Sequence, residues 1–148
     1  MNDNLGTIIG FLYPNADPSS DYEVRDDGSG PYIAYWNEAK LGPQPTPQEL
    51  AAGWRSLAVA TKRNEAARRA AEGMKDTFPE LHNPQTGNKD DAIWGALEVA
   101  FTNAANPRLR EMKGYSDQRK RAWALIQTYA DDPAKTAEDI LALDLEAV

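Results

Sequence analysis

The chain has 148 residues, 41% of them hydrophobic, with no cysteine, one histidine and a net charge of −7. That length suits one modest domain with a helical appendage and excludes a large two-domain enzyme. The missing cysteines exclude a disulfide frame and thiolate metal sites, and a lone His82 supplies too few imidazoles for the usual zinc or iron centres.

The first residues, Met-Asn-Asp-Asn-Leu, lack the basic-then-apolar pattern of a signal peptide, and no apolar run reaches membrane-spanning length. The expectation is a soluble protein, kept in the cytoplasm or assembled there into something larger. Charge is banded: −5 over residues 1–45, +2 over 46–78, −3 over 79–106, +4 over 107–130 and −5 over 131–148. Alternating bands suit contacts between segments or between copies better than they suit a duplex, which needs a concentrated cationic surface. The best basic cluster is Arg119-Lys120-Arg121, which reads most simply as the solvated face of a helix.

Residues 7–13 are short, apolar and rich in β-formers, and Pro14 ends them, so a strand is expected there. Asn15, Asp17, Pro18, Ser19 and Ser20 then supply turn chemistry. Tyr22 and Val24 alternate with Glu23 and Arg25; beyond the turn, Tyr32, Ala34 and Trp36 alternate with Ile33 and Tyr35. This predicts a hairpin. Its turn, Asp26-Asp27-Gly28-Ser29-Gly30-Pro31, offers two glycines for positive φ and a proline that needs no donor. A lone hairpin is marginal in water, so either the first strand joins it in a three-stranded sheet or a partner completes it.

Residues 41–47 form a stiff connector. Thr46 is a good N-cap, Pro47 fits the first helical position, and Glu49 completes a capping box. The helix starting here is expected to run to about Phe78, first on Leu50, Trp54 and Leu57 and later on Ala67, Ala71, Met74 and Phe78, with Thr61 and Asn64 weakening the stripe between them. The small residues Ala66, Ala67, Ala70 and Ala71 would admit a neighbouring helix closely. After Pro79 and a loop at 82–89, a helix is expected at about 90–103, on Ile93, Trp94, Leu97, Ala100 and Phe101. A third opens at Pro107, with a break expected at Gly114, and a short last helix is capped by Thr136. The fold class is therefore α+β: a small N-terminal antiparallel sheet (a hairpin plus one strand), a long helix and a C-terminal helical bundle. The domains expected are a β head over 1–45, a connecting helix over 46–78 and a helical part over 79–148.

Tests for chemistry come out empty. With Gly28 as a calcium-loop glycine, the ligand positions would include Arg25 and Ala34, neither of which ligates. Asp26-Asp27 and Asp90-Asp91 suit a turn and a helix start better than acid–base work. No phosphate-binding or dinucleotide fingerprint occurs. No catalytic residue, metal site or cofactor is expected. The aromatics are more informative, because Tyr32, Tyr35 and Trp36 put rings on both faces of one short strand. Two readings follow: one face is a contact surface, or the long helix covers one face with Leu50 and Trp54 while C-terminal helices cover the other. The partner-binding candidates are Tyr32, Tyr35, Trp36, Leu50, Trp54 and Leu57; the structural ones are Asp27, Gly28, Gly30, Pro31, Thr46 and Pro47.

The order Tyr22-Glu-Val, Asp26-Asp27-Gly28, Gly30-Pro31-Tyr32-Ile33, Trp36-Asn37, Leu41-Gly42, Pro45-Thr46, Glu49-Leu50 resembles a segment of small bacteriophage proteins. These are the tail-fibre-assembly or tail-assembly-chaperone-like proteins, including the XkdW-like prophage group, and the similar part covers roughly residues 5–60. The resemblance implies a non-enzymatic tail or baseplate component, or an assembly factor. It would act on other tail or fibre proteins, as several copies in a symmetric assembly, in the virion or in the host cytoplasm. The alternative expectation is a cytoplasmic nucleic-acid-handling factor using the basic helix at 107–130.

Overall fold

The computed structural model describes residues 4–77 and 107–147. The loop at 82–89 with His82, and the helix expected at 90–103, lie outside the described residues. Along the chain run α1 (Leu5–Leu12), β1 (Tyr22–Asp26), β2 (Pro31–Trp36), α2 (Glu38–Leu41), α3 (Pro47–Thr77), α4 (Pro107–Asp131) and α5 (Ala137–Leu141). The class is α+β, with an N-terminal antiparallel sheet followed by a long helix and C-terminal helices. Two compact units separate within α3: Met1–Ala58 and Val59–Val148.

In the first unit, the strand expected at 7–13 is instead the helix α1, and the sheet has two strands rather than three. The β-branched run Thr7-Ile8-Ile9 favours a strand locally, but Leu5, Ile8, Ile9 and Leu12 fall on one side of a 3.6-residue period. Burial of that stripe overrides the local preference: Leu5, Ile8 and Ile9 are all buried. Pro14 ends the element as expected, after Tyr13 N–H donates to Ile9 O at 2.8 Å. The core of this unit gathers Leu5, Ile9 and Tyr22, with Tyr13, Val24, Ile33, Trp36 and Leu50 packed against them. Helix α1 also lies close to α3, since a Cβ on Gly53 would stand 2.8 Å from Leu12 Cδ1.

The capping box at the start of α3 forms as the sequence predicts. Glu49 N–H donates to Thr46 Oγ1 at 3.2 Å, and Thr46 N–H donates to Glu49 Oε2 at 2.7 Å. The weak middle expected at Thr61 and Asn64 reflects a different phase: both are exposed, and the buried stripe runs through Ala58, Lys62, Ala66 and Ala70.

In the second unit, α3 and α4 run antiparallel, because Arg63 meets Gln127 and Trp123 while Gly73 meets Tyr115. The break expected at Gly114 is absent and α4 is continuous. Thr136 caps α5 with a reciprocal box to Asp139, which buries Ala137 and Ile140. Lys62, 8% exposed, donates to Glu65 Oε2 at 2.8 Å and to Leu143 O at 2.9 Å, so this buried ammonium ties α3 to the chain after α5. Gly73 tests the α3–α4 approach, since a Cβ there would collide with the Tyr115 ring. Alanine there gains about 1 kcal/mol of helix propensity, against an overpacking penalty of about 1–3 kcal/mol. Gly73→Ala is therefore expected to lose about 1 kcal/mol in denaturant unfolding. In a Tyr115→Ala background, itself less stable, the same Gly73→Ala change should cost little or nothing, and simple additivity of the two changes would refute the contact.

Candidate partner-binding surface

The hairpin determines which aromatics face out. Tyr22 pairs with Trp36, Glu23 with Tyr35, Val24 with Ile33, Arg25 with Tyr32 and Asp26 with Pro31. Between the second and third of these pairs β2 carries one extra residue, Ala34, so the ladder bulges there. Strict alternation would have put Trp36 with Tyr32 on one face and Ile33 with Tyr35 on the other. The bulge shifts the phase by one. Ile33 and Trp36 turn inward beside Val24 and Tyr22, while Tyr32 and Tyr35 turn outward opposite Arg25 and Glu23. The outer face is open: Tyr32 is 43% and Tyr35 50% exposed. Beside them Arg25 Nε donates to Glu23 Oε1 at 2.8 Å and Nη2 to Oε2 at 3.0 Å, a bidentate pair that keeps the guanidinium charged.

The remaining candidates divide. Trp36 is a core residue. Its ring meets Tyr13 edge-on at 5.0 Å and Tyr22 at 6.2 Å, and Nε1 donates to Gly42 O at 2.8 Å. Leu50 packs on the same core, and Trp54 and Leu57 are half-buried on α3. Tyr32 also borders a shallow groove of about 200 Å³, walled by Leu5 and Ile8 of α1, Ile33 of β2, Pro45 of the connector and Leu50 of α3. Thr46 and Pro47, at the α3 N-terminus, sit on the rim of this unit. In the turn, Gly28 and Gly30 have φ of 94° and 107°, as a tight reversal into Pro31 requires. Asp26, more than Asp27, holds it. Asp26 Oδ1 accepts from Gly28 N–H at 2.8 Å and Gly30 N–H at 3.1 Å, whereas Asp27 Oδ1 accepts only from Ser29 N–H at 3.1 Å.

Asp21 was not singled out by sequence, although the sheet depends on it. It is 2% exposed, and its Oδ2 accepts from Asp17 N–H at 2.8 Å and from Lys40 Nζ at 2.6 Å. Its backbone O accepts from Asn37 N–H at 2.8 Å, which closes the hairpin's open end. The Asp17 amide, and after it the Lys40 ammonium, hold the Asp21 carboxyl below the ordinary aspartate range. Asp17 and Glu49 are lowered in the same way by bonds to Ser19 and Thr46. A depressed folded pKa stabilises the fold fully above the unfolded value and less as pH falls through the folded one. The first unit is therefore expected to lose thermal stability as pH falls through and below the ordinary carboxylate range. Asp21→Asn should lower Tm near neutrality and flatten that acid limb; melts as steep in the variant as in the parent would contradict this.

Among the described residues, no cluster of three or more His, Asp or Glu side chains could hold a metal ion, and no helix is long and apolar enough to cross a membrane. In the basic cluster, the Arg119 guanidinium lies over Trp123, 5.2 Å from the ring centroid, while Lys120 and Arg121 are exposed.

The comparisons with known proteins fall on the hairpin unit. Residues 5–61 match the family model described as XkdW protein, which makes this stretch an XkdW-like segment. Over 56 residues the chain is 45% identical to the uncharacterized protein YqcD of Bacillus subtilis (strain 168), covering 36% of this chain and 49% of that protein. Over 53 residues it is 45% identical to the phage-like element PBSX protein XkdW of the same organism, covering 36% of this chain and 47% of that protein. The chain thus spans about half the length of the curated relatives it matches. No solved structure matches.

Proposed function

We propose that this is a non-enzymatic, bacteriophage-associated protein of the tail or baseplate, which attaches tail fibres or helps to assemble them through protein contacts. The observation that carries the reading is a coincidence of extents. The XkdW-like segment, 5–61, is nearly the compact unit 1–58 that presents Tyr32 and Tyr35 on an open sheet face. One of the similar proteins is named as part of a phage-like element. Aromatic side chains at an exposed, charge-flanked face are the residues that most often anchor interfaces, and they support docking over chemistry. The helical second unit would engage a fibre or further copies of the chain.

The test is mass spectrometry of purified particles, together with affinity capture from induced cells. Detection in the particle at fixed stoichiometry makes the protein a structural subunit. Capture with fibre proteins but absence from the particle makes it a released assembly factor. Finding neither would overturn the proposal. DNA binding that falls steeply with salt, and vanishes when Arg119, Lys120 and Arg121 are neutralised, would replace it with the nucleic-acid reading.

A further inference from the structure

We infer that two copies of this chain join through β1, edge to edge and antiparallel about Val24, to make one four-stranded sheet. The two edges of the hairpin are unlike. The outer edge of β2 begins with Pro31, is interrupted by the Ala34 bulge and borders the groove shared with Pro45, all devices that discourage pairing. Strand β1, Tyr-Glu-Val-Arg-Asp, has no proline, lysine or bulge of its own. Among the described residues, no backbone group outside the hairpin bonds to residues 22–26.

The register follows from the ladder. Asp21 O accepts from Asn37 N–H, so residues 21, 23 and 25 turn their backbone groups towards β2, and Tyr22, Val24 and Asp26 turn theirs away. An antiparallel strand can bond only to these three. With a second β1 centred on Val24, Val24 meets Val24 and Tyr22 meets Asp26, both as hydrogen-bonded pairs. Glu23 then falls opposite the other copy's Arg25, twice, at non-hydrogen-bonded positions where side chains come closest. Each carboxylate lies between two guanidiniums, its own at 2.8 Å and the incoming one. Shifting the pairing by two residues either way breaks at least one of these opposite-charge matches. The bonding phase admits this register, and the independent charge pattern selects it from the phase-allowed alternatives. The joined sheet would carry Tyr32 and Tyr35 of both copies on one outer face. The inference holds whichever polypeptide that face receives.

The experiment is sedimentation equilibrium of the full chain and of charge variants. The parent is expected to dimerise. Arg25→Glu, which opposes four carboxylates, should raise the dimer dissociation constant at least tenfold, and Glu23→Arg with Arg25→Glu should restore it. A parent that stays monomeric at the highest soluble concentration, or a dimer indifferent to Arg25→Glu, overturns the inference. Because the chain has no cysteine, a second measurement is available even if a charge variant folds poorly. Glu23→Cys and Arg25→Cys proteins mixed under oxidation should cross-link to each other faster than either does to itself, whereas equal rates would contradict the register.

Discussion

Trp36→Ala is expected to destabilise the hairpin unit severely without replacing any side chain of its outer face. Trp36 is partly buried against the core, so removing its indole costs up to about 3 kcal/mol, part transfer and part cavity. Small domains hold only about 5–15 kcal/mol in total, and a unit the size of 1–58 sits at the low end of that range. The loss has identifiable parts: Tyr13 and Tyr22 each give up a ring contact, and Gly42 O gives up its donor. Trp36→Phe separates these parts, because it keeps a ring against Tyr13 and deletes only the N–H, for about 1–2 kcal/mol. Amide exchange across 22–36 is the measurement. If the alanine variant keeps parental protection there, Trp36 does not hold the core.

The opposite behaviour is expected of Tyr32 and Tyr35. Both side chains are exposed, so replacing them together by serine should change unfolding free energy by less than about 1 kcal/mol. If the outer face docks a partner, the same change should weaken capture of the phage proteins by at least about 2 kcal/mol, or roughly 30-fold in dissociation constant. Titration of the captured partner against parent and variant decides it. Parental affinity in the double variant would remove these two residues from the interface, even if the protein still associates with particles. The contrast matters because the sequence placed Trp36, Tyr32 and Tyr35 in one group of contact candidates, and the bulge separates them into an interior anchor and an exterior pair.

What the sequence made legible was local. The two helix caps, at Thr46 and Thr136, and the positive-φ glycines at 28 and 30 are fixed by side chains within three or four residues of the backbone they serve. Each was readable for that reason. Helix α1 was misread because three β-branched residues in a row outvoted a stripe of four at 5, 8, 9 and 12, and only burial against Tyr22 and its neighbours decides between them. Asp21 escaped notice because, beyond the Asp17 amide four residues before it, its partners Lys40 and Asn37 lie 19 and 16 positions away, and nothing in the run Asp-Pro-Ser-Ser-Asp announces a buried carboxylate. The seam of α3 was placed out of phase since Lys62 reads as solvent-facing until Leu143 O is seen to accept from it.

Ala34 has one more implication, for length rather than for sequence. In most strands, losing a residue reverses every side chain beyond the gap. Here the reverse applies: without Ala34, Ile33, Tyr35 and Trp36 would follow an unbroken zigzag and keep the same inside and outside they have now. The interior therefore tolerates either count. What the additional alanine controls is the border of the molecule, which it keeps crooked and so unfit for indefinite stacking; the proposed pairing through β1 would then end after a single join.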